Sequence, residues 1–199
     1  MKNHLKARYE NSKKGDNGIV LVIGGSSLYH GAPLLASLTA LRAGADLVYT
    51  AVPRIIINAI RSYSPNIIAL PMTDNSLTIG SANRLIKSLP KKPHVATIGM
   101  GMTVSKVEAL ISLIKNLKSN GTRLVLDASA LIPKVITEIT ETGTIITPHA
   151  GEFKRIFNED VGIREDDIIS SATRMASRYK ITIILKGWLN VIADPSGKV

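Results

Sequence analysis

Apolar residues in this chain gather in short runs rich in Val, Ile and Leu, separated by longer segments in which they recur every three or four positions. An unbroken run of that kind suits a strand buried on both faces, and the wider spacing marks one face of a helix. The runs predict strands at 18–23, 46–52, 66–70, 94–98, 123–127, 143–147, 181–185 and 190–193. The spaced segments predict helices at 32–43, 53–61, 81–88, 104–119, 130–141, 148–158 and 165–180, the first bounded by Pro33 in its opening turn and Gly44 just past its end. Strand and helix alternate with no repeat or low-complexity segment between them. This predicts an α/β fold over 1–199 as a single domain, a mainly parallel central sheet with helices on both faces. Beyond the last strand, Asp194-Pro195-Ser196-Gly197 reads as a turn and Lys198-Val199 as the opening of a returning strand, so that the hairpin is expected to be cut short.

Composition narrows the class. A chain of 199 residues with 45% hydrophobic content holds one continuous core, and two domains would leave both thin. Cysteine is absent, which rules out disulfides and thiolate metal sites, and His4, His30 and His94 have no metal-ligand spacing. No apolar run approaches the ~20 residues needed to span a bilayer. The opening residues mix charged and apolar side chains unlike a signal peptide, so the expected location is the cytoplasm. A net charge of +10 favours an anionic partner. The basic residues are spread, with Lys13-Lys14 and Lys91-Lys92 the longest clusters, and aromatics make up 4%, which points to a small polyanion such as a nucleotide rather than to nucleic acid.

Ligands of such sheets collect where strands end and helices begin, because backbone amides face outward there. Gly24-Gly25-Ser26-Ser27 followed by Gly31-Ala32-Pro33 occupies that place after the first strand, and Gly99-Met100-Gly101 repeats it after the fourth. Either pair holds a phosphate or polar group, or is a flexible connection. Asp127 closes the fifth strand as a helix cap or a site carboxylate. In Thr147-Pro148-His149-Ala150-Gly151-Glu152, Thr147 can cap a helix that Pro148 starts, setting His149 and Glu152 on one face. His149 then donates to a ligand and Glu152 holds Mg2+ through water, or both decorate an ordinary capped helix. Lys186-Gly187 meets phosphate charge or is a surface lysine before a turn. Met100, Met102 and Trp188 read as packing or pocket wall.

Taken in order, Lys14-Gly15-Asp16, Val22-Ile23-Gly24-Gly25-Ser26, Gly31-Ala32-Pro33-Leu34-Leu35-Ala36, Leu41-Arg42-Ala43-Gly44-Ala45, Gly99-Met100-Gly101, Leu126-Asp127-Ala128, Thr147 to Glu152 and Leu185-Lys186-Gly187 resemble the ADP-dependent NAD(P)H-hydrate dehydratases. That family has the ribokinase-like fold, and the resemblance runs over essentially the whole chain. It implies repair of hydrated NADH or NADPH: phosphorylation of the hydrate hydroxyl from ADP, then elimination of phosphate. It further implies that Gly25, Ser26, Ala32, Gly99, Gly101, Asp127 and His149 bind the dinucleotide. Lys186, Gly187 and Asn190 would bind ADP, Glu152 would organise Mg2+ indirectly, and the protein would form a homo-oligomer, a dimer or tetramer.

Four positions depart from the family pattern. Met100 and Thr103 replace the proline and last glycine of Gly-Pro-Gly-Leu-Gly, Ser129 replaces the second aspartate of Asp-Ala-Asp, and Asn190 stands where a threonine is common. The family also continues into a Gly-Ser-Gly-Asp-like segment carrying its catalytic aspartate. The expectation is therefore a domain incomplete at its C-terminal end, needing that segment or a partner for the full reaction. Two other readings are a catalytically silent nucleotide-binding or assembly subunit, and a kinase of a small vitamin precursor resembling the hydroxyethylthiazole kinases.

Overall fold

The computed structural model describes residues 8–199, so His4 and the charge pattern of the opening residues lie outside the described part. Fifteen regular elements alternate in the order the hydrophobic pattern predicts. They are β1 (Ile19–Ile23), α1 (Gly31–Arg42), β2 (Leu47–Pro53), α2 (Ile57–Tyr63), β3 (Ile68–Met72), α3 (Ile79–Ser88), β4 (Val95–Ile98) and α4 (Val107–Ser119). The second half holds β5 (Arg123–Leu126), α5 (Pro133–Ile139), β6 (Ile145–Ile146), α6 (Ala150–Phe157), α7 (Glu165–Tyr179), β7 (Thr182–Leu185) and β8 (Val191–Ala193). The strands form one sheet in the order β3-β2-β1-β4-β5-β6-β7-β8. All neighbours pair parallel except β8, which returns antiparallel to β7.

One face of the sheet carries the main core. Leu21, Ile23, Ile98, Leu126, Ile146 and Ile183 point into it and meet buried residues of α3 to α7, including Leu110, Leu113, Val135, Phe153 and Ala172. Burying one such aliphatic side chain contributes about 1.5–3 kcal/mol, so this layer dominates stability. Aromatic rings join α6 to α7, with Phe153 edge-on to Phe157 at 4.7 Å and Phe157 against Tyr179 at 5.3 Å.

The opposite face is covered unevenly. Over β1 to β3 it lies beneath α1 and α2, where Val22, Val48, Val52 and Ile60 are buried. The buried hydroxyl of Ser37 is satisfied there by Pro33 O at 2.7 Å and Thr50 Oγ1 at 2.6 Å. Past β4, Val125, Ile145 and Ile184 on this face are only half-buried and Ile192 is 58% exposed. Helices thus lie on both faces as predicted, but one layer stops halfway across the sheet.

Element edges differ from the sequence reading for identifiable reasons. The helix predicted from 53 begins only at Ile57, because Pro53 extends β2 and Arg54–Ile56 form a 3₁₀ turn. The helix predicted from 104 begins at Val107, since Val104 is held in a parallel bridge to Leu77. The stretch at 128–130 is a 3₁₀ turn, and Pro133 starts α5. Trp188, expected as packing or pocket wall, is 74% exposed on the turn between β7 and β8 and so takes no part in core packing, whereas Met100 and Met102 are buried.

Candidate functional site

The strand order reverses direction between β1 and β4, and α1 leaves β1 toward one face while α4 follows β4 on the other. Chain leaving two adjacent strands toward opposite faces opens a crevice at their carboxyl ends. Both glycine turns sit there. Gly25 N donates to Met100 O at 2.9 Å, joining them, and buried Ser26 anchors the following loop, its amide donating to Tyr29 O at 3.0 Å while its hydroxyl accepts from Tyr29 N at 3.3 Å. An open cleft of about 450 Å³ is lined by Leu28, Tyr29, His30, Gly31, Ala32 and Gly101. Ala32 is exposed in the first turn of α1, which holds no acidic residue, and His30 before it gives no side-chain cap. The amides of that turn therefore remain available to an anion.

Glycine is required twice on this rim. Gly99 has φ +121, and a Cβ placed on it would lie 1.9 Å from Asp127 O. Gly101 has φ +64, and its Cβ would stand 2.8 Å from Tyr29 Cβ. The first glycine admits the turn after β5 against the turn after β4, and the second admits the Tyr29 loop. The β5 turn is further held by Ser129 Oγ, which donates to Met102 O at 2.6 Å, so the serine that replaces a family aspartate binds backbone. Ala128 takes a left-handed φ of 48, and Arg155 of α6 braces it by donating to Ala128 O at 3.1 Å and Leu131 O at 3.2 Å.

Asp127 makes no side-chain cap for the 3₁₀ turn it precedes. Its Oδ1 accepts from Thr147 Oγ1 at 2.7 Å and pairs with Lys186 Nζ at 2.8 Å. Three neighbouring strands, β5, β6 and β7, thereby end in one polar cluster. Parallel pairing continues beyond the strands as a bridge between His149 and Lys186, with Lys186 N donating to Pro148 O at 2.8 Å.

His149 differs from its expected place in one respect. It is the N-cap of α6 itself rather than a residue on the helix face, so neither Thr147 nor Pro148 plays the cap-and-start role predicted for them. His149 Nδ1 accepts from Gly151 N at 3.0 Å and Glu152 N at 3.3 Å, while Glu152 Oε2 accepts from His149 N at 2.9 Å. With Nδ1 engaged as an acceptor in this reciprocal box, Nε2 is the ring nitrogen left to donate. Glu152 is only 8% exposed, with Oε1 at 3.6 Å from His149 Nε2.

The remaining expected residues lie at the β7 end. Gly187 N donates to Asn190 Oδ1 at 3.3 Å, so the asparagine amide oxygen shapes the turn that displays Lys186. The cluster Thr147–Asp127–Lys186 and the brace Arg155 escaped sequence reasoning. Nothing local relates Asp127 to Lys186, 59 positions away, and Thr147 before a proline imitates a helix cap.

No group of three or more His, Asp or Glu side chains among the described residues is arranged to cage a metal ion. One carboxylate oxygen of Glu152 is free of hydrogen bonds to protein, which suits a Mg2+ ion carried in on nucleotide phosphates and reached through water. No helix among the described residues is long and apolar enough to cross a membrane.

A family model described as NAD(P)H-hydrate dehydratase matches residues 20–199. The ADP-dependent (S)-NAD(P)H-hydrate dehydratase of Nitrosopumilus maritimus is 46% identical over 196 residues, spanning 98% of this chain and 68% of that protein. The crystal structure of an ADP/ATP-dependent NAD(P)H-hydrate dehydratase from Bacillus subtilis, co-crystallised with ATP/Mg2+, superposes with a TM-score of 0.77 at 26% identity, covering 96% of this chain and 65% of that one. A ribokinase-like superfamily protein from Enterococcus faecalis shares the fold, with a TM-score of 0.71 at 21% identity over 94% of this chain and 64% of that one. The chain thus spans about two thirds of the length of these relatives.

Proposed function

The chain belongs to the NAD(P)H-hydrate dehydratase family, and with that as premise we propose that it serves the ADP-dependent repair of hydrated NADH and NADPH. In this reaction the hydroxyl oxygen of the hydrate attacks the terminal phosphorus of ADP, releasing AMP and giving up its proton. The phosphorylated ring then loses phosphate as the C–O bond breaks and a neighbouring carbon yields a proton, which restores the ring double bond.

One observation carries the reading: Lys186, Asp127, Thr147 and His149 converge at the ends of β5, β6 and β7, on the same rim as the glycine turns of β1 and β4. Phosphoryl transfer depends on holding reactants and neutralising charge, and the rim supplies parts for both. The Lys186 ammonium meets the phosphates of ADP at the Gly187 turn. His149 presents its Nε2–H toward the dinucleotide, with Gly25, Ser26, Ala32, Gly99 and Gly101 forming the backbone wall beside it. When bound with the nucleotide, Mg2+ would neutralise phosphate charge, and Glu152 would hold its water shell. The same reading makes the protein a cytoplasmic homo-oligomer, a dimer or tetramer, and 1–199 a single domain.

The test is incubation with hydrated NADH, ADP and Mg2+, following the return of dihydronicotinamide absorbance. Recovery that requires ADP supports the proposal. Calorimetric binding of ADP and dinucleotide with no recovery would replace it with a silent nucleotide-binding subunit, and absence of binding by folded protein would remove both.

A further inference from the structure

The cleft between the two glycine turns has Tyr29 in its lining, beside Leu28 and His30. Its backbone is fixed, because Tyr29 N and O are both engaged by buried Ser26. Its Cβ rests against Gly101, the position where any larger residue would push it away. Yet the side chain is 62% exposed, with Leu28 beside it more exposed still. A segment held this firmly while presenting an aromatic ring to solvent is built to keep the ring face available, since burying it would be favourable by itself. Within the same cleft lie Gly31 and Ala32 of α1, whose first turn has neither a side-chain cap nor an acidic residue. A flat apolar surface next to uncapped amides matches a ligand made of a planar ring joined to a diphosphate.

We propose that Tyr29 is a binding residue of the dinucleotide site, its ring stacking on a planar heteroaromatic ring of the dinucleotide while the first turn of α1 meets the diphosphate. The inference rests on the dehydratase reading for the identity of the ligand. Ser26 and Gly101 then serve to set the height and tilt of the Tyr29 ring, and the phenolic hydroxyl has no part in the stacking. Two rings could occupy the place, nicotinamide or adenine, and the chemistry that holds them is the same.

Calorimetric titration of the chain with NADP+ tests this, using Tyr29→Phe and Tyr29→Ala. Stacking on one base is worth about 1–3 kcal/mol, so Tyr29→Ala should weaken binding by roughly 5- to 150-fold, and Tyr29→Phe by no more than about twofold. The thermal midpoint of both variants should match the parent, because the ring adds little to the core. Titration with nicotinamide mononucleotide and with ADP-ribose separates the two rings: whichever loses affinity in Tyr29→Ala identifies the stacked one, and loss with either supports the proposal. Equal affinity of parent and Tyr29→Ala would overturn it. So would an equal loss in Tyr29→Phe, which would assign the effect to the hydroxyl, or a changed oligomeric state with unchanged affinity, which would make Tyr29 a contact between copies. If the folded parent fails to bind NADP+, the dehydratase reading falls with it, so the two failures are told apart by the parent titration alone.

Discussion

Lys186 Nζ reaches Asp127 Oδ1 at 2.8 Å across the intervening end of β6, and Thr147, just past that strand, donates to the same oxygen at 2.7 Å. The ammonium is thereby held over the rim while its side chain stays 43% exposed. An ion pair this accessible adds little to stability, commonly under about 1 kcal/mol. Its value lies in where it leaves the positive charge. Lys186→Met should therefore leave the thermal midpoint nearly unchanged, yet weaken ADP by roughly 10- to 150-fold, the equivalent of losing a charged hydrogen bond. Calorimetry with ADP beside a thermal melt checks both halves, and an unaltered ADP affinity would show that Lys186 faces no phosphate.

Gly99 and Gly31 make a contrasting pair. A Cβ at Gly99 would fall 1.9 Å from Asp127 O in a backbone conformation with φ +121, whereas Gly31 has nothing within 4 Å of its Cβ direction. Gly99→Ala should cost more than about 3 kcal/mol and leave little folded protein, because both the strain and the overlap involve backbone. Gly31→Ala should keep stability or raise it by up to about 1 kcal/mol. Chemical denaturation of the two variants reads the difference.

Glu152 joins a structural and a proposed ionic task, and the two can be separated. Gln retains an oxygen to accept from His149 N but carries no charge. Glu152→Gln should hold the cap of α6 and raise the Mg2+ concentration needed for half-maximal turnover. Glu152→Ala should also lose about 0.5–2 kcal/mol of stability through the broken capping box. A Mg2+ titration and a melt of each variant distinguish the two effects.

Far from the site, Asp46 ties the loop before β1 to the connection between α1 and β2. The backbone amide of Asn17 holds its carboxyl below the usual aspartate range, against the opposing effect of burial, helped by Gly15 N, the Asn17 side chain and Arg8. Because the folded value lies below the unfolded one, the charge stabilises fully above the ordinary aspartate pKa and ceases to do so as pH falls through the folded value. Asp46→Asn should melt earlier than the parent at neutral pH, and the gap should close on acidification. Melts from pH 7 downward test the sign.

The sheet was legible because its strands are concentrated runs of β-branched and aliphatic residues, and the rim because glycines mark its turns. What the sequence concealed has a physical cause in each case. Leu124, Val125 and Leu126 are all apolar, so the run signals burial on both sides, although Val125 faces only partial cover. Pro148 carries a helix-start signal that His149 overrides by offering Nδ1 to two amides. Trp188 is large and apolar, but it sits on a tight turn that offers it nothing to pack against. The pairing of Asp127 with Lys186 arises only when β6 is laid between them, a fact of topology with no local signature.

The layer of helix that ends at β1 has a dynamic consequence. Strands clamped between two packed layers open only with the whole molecule, whereas strands gripped from one side open in smaller, cheaper fluctuations. Native-state amide exchange should accordingly be slowest in β1 and β2 and fastest in β7 and β8, where Ile184 and Ile192 face away from the main core. Lys186, at the tip of that fast-exchanging pair, would then be the part of the rim best able to follow a moving phosphate.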